Sequence, residues 1–185
     1  LFPYTTLFRS NTLDIEKNLT LHFGKPMQRL SDQDFFDFCQ ANPELRIERT
    51  SEGDLIIMSP TGGNTGRRNF NLTYQFGLWL ETFSEGVGFD SSTGFILPNG
   101  AERAPDLSWV RNERWDALTE AERNVFPPLC PDFVAELRSP SDSLSTLKDK
   151  MQEYLDNGAQ LGWLIDPLDK NIYIYQPHEA VIYSD

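Results

Sequence analysis

The most constraining feature of this sequence is an apolar strand pattern followed by a helical stripe and a second apolar strand. Residues 133–137 are apolar at four of five positions, as in a buried strand. Asn157-Gly158 is a helix-ending pair that precedes the second strand pattern at 162–165. The helical stripe between them consists of Leu144, Leu147, Met151, Tyr154 and Leu155. Together with shorter strand patterns earlier in the chain, this order predicts one α/β domain built around a mixed sheet flanked by helices.

The first half of the chain predicts a helix, a hairpin and a second helix. Capping residues at 31–34 precede a short helical pattern that ends at Asn42-Pro43. Residues 45–49 and 55–58 read as two strands joined by a turn at Gly53, which is an N-terminal β-hairpin. The Gly-rich loop at 60–66 leads into a segment so dense in large apolar residues that we expect a largely buried helix.

The two ends of the chain carry separate expectations. Residues 1–10 resemble the translation of a sequencing-adapter oligonucleotide, so we exclude them from the fold as an artefact. Residues 11–28 then form an N-terminal extension, and residues 29–185 form a single domain. The strand pattern at 181–183 stops without a closing element, which predicts that this domain is truncated at its C-terminus.

Composition limits the classes of function. The 185 residues include 16 Lys and Arg against 28 Asp and Glu, a net charge of −12 that disfavours sequence-independent binding to nucleic acid. No apolar run approaches the about 20 residues of a membrane-spanning helix, so we expect no membrane association. Cys39 and Cys130 are the only cysteines, which predicts reduced thiols and a cytoplasmic location.

A carboxylate interrupts the apolar strand at 133–137. Glu136 lies inside it, and such a group is costly to bury unless it is paired, protonated or bound to a metal. Arg138 is two residues further on, which places it on the same side of a strand. The pattern fits either a structural pair of Arg138 with Glu136 or a site that carries chemistry. Asp106, at the start of the strand pattern at 107–110, is the second carboxylate that stands out.

Other chemistries find little support. The two histidines, His22 and His178, have no metal-ligand neighbour at short spacing and offer no base for a cysteine nucleophile. On the helix after Glu136, Lys148 and Lys150 border opposite sides of the apolar stripe. A helical wheel does not choose between them.

Several of these residues form an ordered set that resembles the Uma2 family, within the PD-(D/E)xK nuclease superfamily. The set is Glu48, Met58-Ser59-Pro60-Thr61-Gly62, Pro105-Asp106, Glu136-Leu137-Arg138-Ser139-Pro140-Ser141-Asp142, Lys150 with Tyr154, Asn157-Gly158 and Gly162-Trp163-Leu164-Ile165-Asp166-Pro167. The resemblance runs from about residue 29 to the end, and its specificity comes from the order of the pieces.

The resemblance implies a restriction-endonuclease-like fold and a Mg²⁺-dependent endonuclease, with Mn²⁺ as an alternative ion, that hydrolyses DNA. It implies that Asp106 and Glu136 hold the metal and that Lys150 acts on the attacking water or the leaving charge. The superfamily lysine falls at Arg138, which we expect to contact phosphate instead, and Glu48 is an additional carboxylate of the site.

Two further expectations concern partners. Exposed strands such as residues 172–175 could pair between subunits, which would make the protein a homodimer. The alternative to a nuclease is a catalytically inactive binding or assembly protein that keeps the nuclease fold, with Glu136, Arg138 and Lys150 as a structural ion network.

Overall fold

The structure is a computed structural model, and it describes residues 19–22, 30–83, 85–177 and 179–184. The predicted artefact at 1–10 lies outside the described residues, as does most of the extension at 11–28. The strands are β1 (Leu19–Leu21), β2 (Arg46–Arg49), β3 (Leu55–Met58), β4 (Gly86–Asp90), β5 (Phe95–Ile96), β6 (Glu102–Arg103), β7 (Leu107–Arg111), β8 (Phe133–Leu137), β9 (Leu161–Asp166), β10 (Asn171–Gln176) and β11 (Glu179–Ser184). The helices are α1 (Asp32–Ala41), α2 (Gly63–Thr82), α3 (Asn112–Asp116), α4 (Glu120–Arg123) and α5 (Leu144–Asp156).

The predicted mixed sheet is present, and its strands follow the order β11-β10-β9-β8-β7-β4. Strands β8 and β9 run parallel, because α5 crosses between them, and the other neighbours are antiparallel. The expectation that residues 172–175 pair with a second subunit is wrong. They lie in β10, whose hydrogen-bonding edges are occupied by β9 on one side and β11 on the other.

The predicted hairpin is confirmed as β2 and β3, and it belongs to a second sheet that the sequence patterns did not reveal. This sheet has the order β1-β3-β2-β6-β5, and its neighbouring strands are antiparallel. The hairpin turn contains Gly53 with a φ of 98°, a left-handed conformation that glycine adopts without strain. Phe35 of α1 packs on Ile47 and Leu55, so α1 is held against this sheet.

Helix α5 covers one face of the six-stranded sheet with its apolar stripe. Met151 and Tyr154 are buried in a core that includes Val134 of β8 and Leu164 of β9. The helix begins after the cap Ser143, and it is followed by Gly158 with a φ of 108°. The predicted helix is therefore confirmed, and its residues Lys150 and Tyr154 contact Glu136 of β8.

Helix α2 packs on the opposite side of β7 and β8. Leu72 and Phe76 contact the cluster formed by Leu107, Phe133 and Ala135. The expectation of a largely buried helix is wrong for its other face, where large apolar residues are exposed. Within the described ranges, the model has no helix with the length and hydrophobicity that a membrane crossing requires.

Candidate active site

Asp106 and Glu136 are brought together by the pairing of β7 with β8. Leu107 pairs with Ala135, so the residues that precede and follow this pair, Asp106 and Glu136, lie next to each other. The backbone N–H of Leu137 donates a 2.8 Å hydrogen bond to Asp106 Oδ2. Asn69 Nδ2, from α2, donates a 3.1 Å hydrogen bond to Asp106 Oδ1. The Asp106 carboxylate is thus held in place at the end of β8.

Glu136 is buried on β8, and two groups of α5 contact the same oxygen of its carboxylate. The Tyr154 hydroxyl donates to Oε1 over 3.0 Å, and Lys150 Nζ lies 2.8 Å from the same atom. Burial is the largest influence on the carboxyl and raises its pKa, while the Lys150 ammonium lowers it. The negative charges of Asp106 and Glu48 act with burial, and the pKa is raised to about 7.

Lys150 joins Glu136 to a carboxylate of the other sheet. Its Nζ also lies 2.8 Å from Glu48 Oε1, so a single ammonium bridges β8 and β2. Burial would lower the pKa of Lys150, but the two carboxylates raise it more, and the ammonium stays charged. Lys148, which the helical wheel left as an equal candidate, instead lies 4.4 Å from the centroid of the Tyr173 ring.

Glu48 is the hub of the buried ion pairs between the two sheets. Besides Lys150, its carboxylate accepts a 3.0 Å hydrogen bond from the backbone N–H of Ala104 and one of 3.2 Å from Arg103 Nη1. Arg103 Nε in turn lies 2.6 Å from Glu153 of α5. Burial would raise the pKa of the Glu48 carboxyl, yet Lys150, Arg103 and the amide hold it below its ordinary value. Glu48 is therefore ionised and fully partnered.

These side chains line one cleft of about 1070 Å³ between the hairpin, α2 and the start of α5. Its residues include Glu48, Asn69, Asp106, Glu136 and Lys150, with the loop at 139–143 on one side. Its volume is at the upper end of the range of small-ligand sites, about 300–1,000 Å³.

Arg138 is placed away from these residues. Its Nη1 lies 2.7 Å from Asp166 Oδ2 and 3.0 Å from Asp169 Oδ2, at the end of β9. The interpretation of a structural pair between Arg138 and Glu136 is therefore wrong. The reason is that β8 ends at Leu137, so strand alternation no longer determines where residue 138 points.

The donor set of the cleft fits a hard divalent cation. Within the described ranges, no three Asp, Glu, His or Cys side chains are arranged to hold a metal ion. Mg²⁺, however, is commonly held by one or two carboxylates, with waters and phosphate oxygens in its remaining positions. Asp106 and Glu136 meet that requirement. Asn69 Oδ1, beside Asp106, is buried and has no hydrogen-bond partner in the described part of the chain, which adds a neutral oxygen next to the pair.

Sequence reasoning missed Asn69, and it did not assign the pair of Arg103 with Glu153 a role. Asn69 lies on the inner side of α2, one turn after the buried Thr65, so its position on the helix was the only signal. Arg103 lies in the segment just before Pro105-Asp106, but nothing local indicates that its partners are on β2 and α5.

Comparison with known proteins agrees with the fold and with the family resemblance. The model of the Uma2 family, described as "Putative restriction endonuclease", matches residues 32–185. A crystal structure of a "putative nuclease belonging to DUF820 from Anabaena variabilis ATCC 29413" superimposes with a TM-score of 0.69 at 19% identity, over 84% of this chain and 85% of that chain. Among curated proteins, none matches the chain. The structural similarity supports the restriction-endonuclease-like fold.

Proposed function

The chain belongs to the Uma2 family, and on that basis we propose that it is a metal-dependent endonuclease that hydrolyses phosphodiester bonds of DNA. The observation that carries the proposal is the meeting of Asp106, Glu136 and Lys150 in one cleft. Two adjacent carboxylates with a half-buried, charged lysine provide oxygen ligands and a fixed positive charge at one point. That combination suits the stabilisation of a phosphoryl group.

In this proposal, Asp106 and Glu136 hold Mg²⁺ or Mn²⁺. The ion would polarise the scissile phosphate and lower the pKa of a bound water. The hydrogen bonds that Asp106 receives from Asn69 and from the Leu137 amide fix its carboxylate. The Tyr154 hydroxyl does the same for Glu136. Outer contacts of this kind orient metal ligands.

Lys150 acts through its charge. Because Glu136 and Glu48 raise its pKa, the ammonium is a hydrogen-bond donor and not a proton acceptor. It can therefore orient the attacking water or offset the negative charge that develops on the leaving oxygen. The contacts of Glu48 favour a positioning role, in which Glu48 holds Lys150 and Arg103. A direct role of Glu48 as an additional carboxylate stays a prediction.

Arg138 was expected to contact phosphate, and this also stays a prediction. Its ion pair with Asp166 and its absence from the lining of the cleft favour a structural role. The positive groups at the cleft are Arg46, Arg103 and Lys150, of which the last two already pair with carboxylates. With a net charge of −12 and few cationic groups at the cleft, DNA binding should therefore be weak without metal.

A second candidate is a catalytically inactive binding or assembly protein that keeps the nuclease fold. The observation in its favour is that Lys150 already compensates both Glu136 and Glu48 at 2.8 Å, as a purely structural network would. The two candidates differ in whether a divalent ion binds at millimolar concentration. The homodimer and the cytoplasmic location expected from the sequence stay predictions.

Cleavage of supercoiled plasmid tests the proposal. The protein should nick or linearise the plasmid with Mg²⁺ or Mn²⁺ and leave it intact with EDTA. Asp106→Asn and Glu136→Gln should abolish cleavage, because each removes one anionic ligand and keeps the shape of the side chain. Asp156→Asn, an exposed acid at the end of α5, is the matched control and should cut like the parent. Equal cleavage by all variants would show that the site is elsewhere.

A further inference from the structure

The outer face of α2 exposes a line of large apolar side chains. Phe70 is 71% exposed, Tyr74 is 56% exposed and Leu78 is 43% exposed. They are four residues apart, so they form one stripe along the helix. Leu72 and Phe76, which pack on the six-stranded sheet, lie on the opposite side of α2. The stripe is therefore not part of the core that holds α2 to the domain.

The stripe is large for a free surface. From the exposed fractions of its three side chains, it presents on the order of 300 Å² of apolar surface. Contiguous patches of this size on monomers are often functional. A standard interface buries about 800 Å² on each partner, with an apolar centre and a polar rim. The stripe has the size of such a centre, and the flanking polar residues of α2 can supply the rim.

Charge at the two ends of the stripe indicates which partner fits. Exposed Arg67 lies seven residues before Tyr74, and exposed Glu81 lies seven residues after it. On an α-helix the two are about 21 Å apart, along the same face as the apolar stripe. The stripe therefore has a positive end, an apolar middle and a negative end, arranged evenly around Tyr74.

We propose that α2 is a self-association surface, at which two copies of this chain pair antiparallel about a two-fold axis at Tyr74. A two-fold interface brings the same surface of both copies together. In this arrangement Arg67 of each copy meets Glu81 of the other, and Phe70 of each copy packs against Leu78 of the other. A second copy fits this surface because the surface is complementary to itself. A nucleic acid fits less well, since the chain carries a net charge of −12.

The dimer is tested by sedimentation of the full chain over a range of concentrations. The parent should sediment as a reversible dimer, and Tyr74→Asp should be monomeric because it places two carboxylates at the axis. Leu168→Asp is the control, since Leu168 is 45% exposed but lies between β9 and β10, outside α2. This control should dimerise like the parent.

Charge exchange tests the antiparallel arrangement. Arg67→Glu and Glu81→Arg should each raise the dimer dissociation constant about tenfold, because each creates two like-charge contacts. The double variant should restore the parent value. These substitutions are on the surface, and circular dichroism checks that the fold is kept. A monomeric parent, a Tyr74→Asp variant that still dimerises, or a double variant no better than the single ones would overturn the proposal. A parent that is monomeric and loses DNA binding on Tyr74→Asp would show that the stripe contacts nucleic acid instead, and would also overturn it.

Discussion

Lys150 Nζ lies 2.8 Å from Glu136 Oε1, although the two residues belong to different elements, α5 and β8. The same ammonium lies 2.8 Å from Glu48 on β2 of the other sheet. The candidate site is therefore formed where the two sheets and α5 meet. A change in any of these three residues should alter the contacts of the other two, so the role of each is separated only by comparison with a matched control variant.

Replacement of Lys150 should stop cleavage, and replacement of Lys148 should not. Lys150→Met removes the fixed charge from the cleft, and we expect a loss on the order of 100-fold in kcat, comparable to the removal of one transition-state donor. Lys148→Met is the matched control, because Lys148 lies on the Tyr173 ring. Plasmid cleavage under excess metal measures both, with thermal unfolding to confirm that each variant is folded. Equal losses in the two variants would contradict the assignment.

Glu48→Gln should lower the free energy of unfolding by about 3 kcal/mol, the lower end for breaking a buried ion pair. The lower end applies because Lys150 keeps Glu136 and Arg103 keeps Glu153 as partners. Urea unfolding at neutral pH measures the difference. Glu52→Gln, an exposed acid of the same hairpin, should leave stability unchanged. If the two variants were equally stable, Glu48 would not be the hub of the network.

Tyr154→Phe should weaken metal binding about tenfold, as expected for the loss of a hydrogen bond that orients a ligand. The ring stays and keeps its packing in the core, so the change isolates the 3.0 Å hydrogen bond to Glu136. Tyr175→Phe, in the same core on β10, is the control and should bind like the parent. Titration calorimetry with Mn²⁺ compares them. Unchanged affinity in Tyr154→Phe would show that the hydroxyl does not position Glu136.

The ion pair of Arg138 with Asp166 should make the free energy of unfolding depend on pH. Burial would raise the pKa of the Asp166 carboxyl, but the Arg138 guanidinium and the N–H groups of Asp169 and Leu168 hold it below its ordinary value. A lowered pKa in the folded state means that the contribution is present above about pH 4, the unfolded value, and is lost as pH falls further. Asp166→Asn should thus lower the free energy of unfolding by about 2 kcal/mol at pH 7 and by much less at pH 3.

Urea unfolding at the two pH values measures this difference. Asp169→Asn serves as the control, since the Asp169 side chain is 58% exposed and such surface pairs contribute little. A cost for Asp166→Asn that is the same at pH 3 and pH 7 would contradict the account of this pair.

Much of the fold follows from sequence patterns that are local. The helical stripe at 144–155 and the apolar run at 133–137 each specify an element from its own residues, and α5 and β8 have nearly those bounds. The second sheet was missed because β1 and β6 are three and two residues long. Strands of that length have no periodicity to detect. They are held by pairing with β3 and β2, which is a tertiary effect.

For the site, the sequence indicated which residue types carry the chemistry but not all of their contacts. Glu136 can be identified from the sequence alone, because a carboxylate inside an apolar strand is costly to bury unless it has a partner. The choice of Lys150 over Lys148 needed the position of α5 against both sheets, since the helix alone presents the two equally. Arg138 was misplaced for a related reason, because strand alternation was extended one residue past the end of β8.

Whether Asp106 and Glu136 share a metal is tested most directly by calorimetric titration of the purified protein with Mn²⁺, without DNA. One site should be occupied at millimolar metal in the parent and in Asp156→Asn, whose exposed carboxylate lies outside the cleft, and that site should be lost in both Asp106→Asn and Glu136→Gln. A parent that binds no Mn²⁺, or variants that bind it as the parent does, would contradict the claim that Asp106 and Glu136 share a metal.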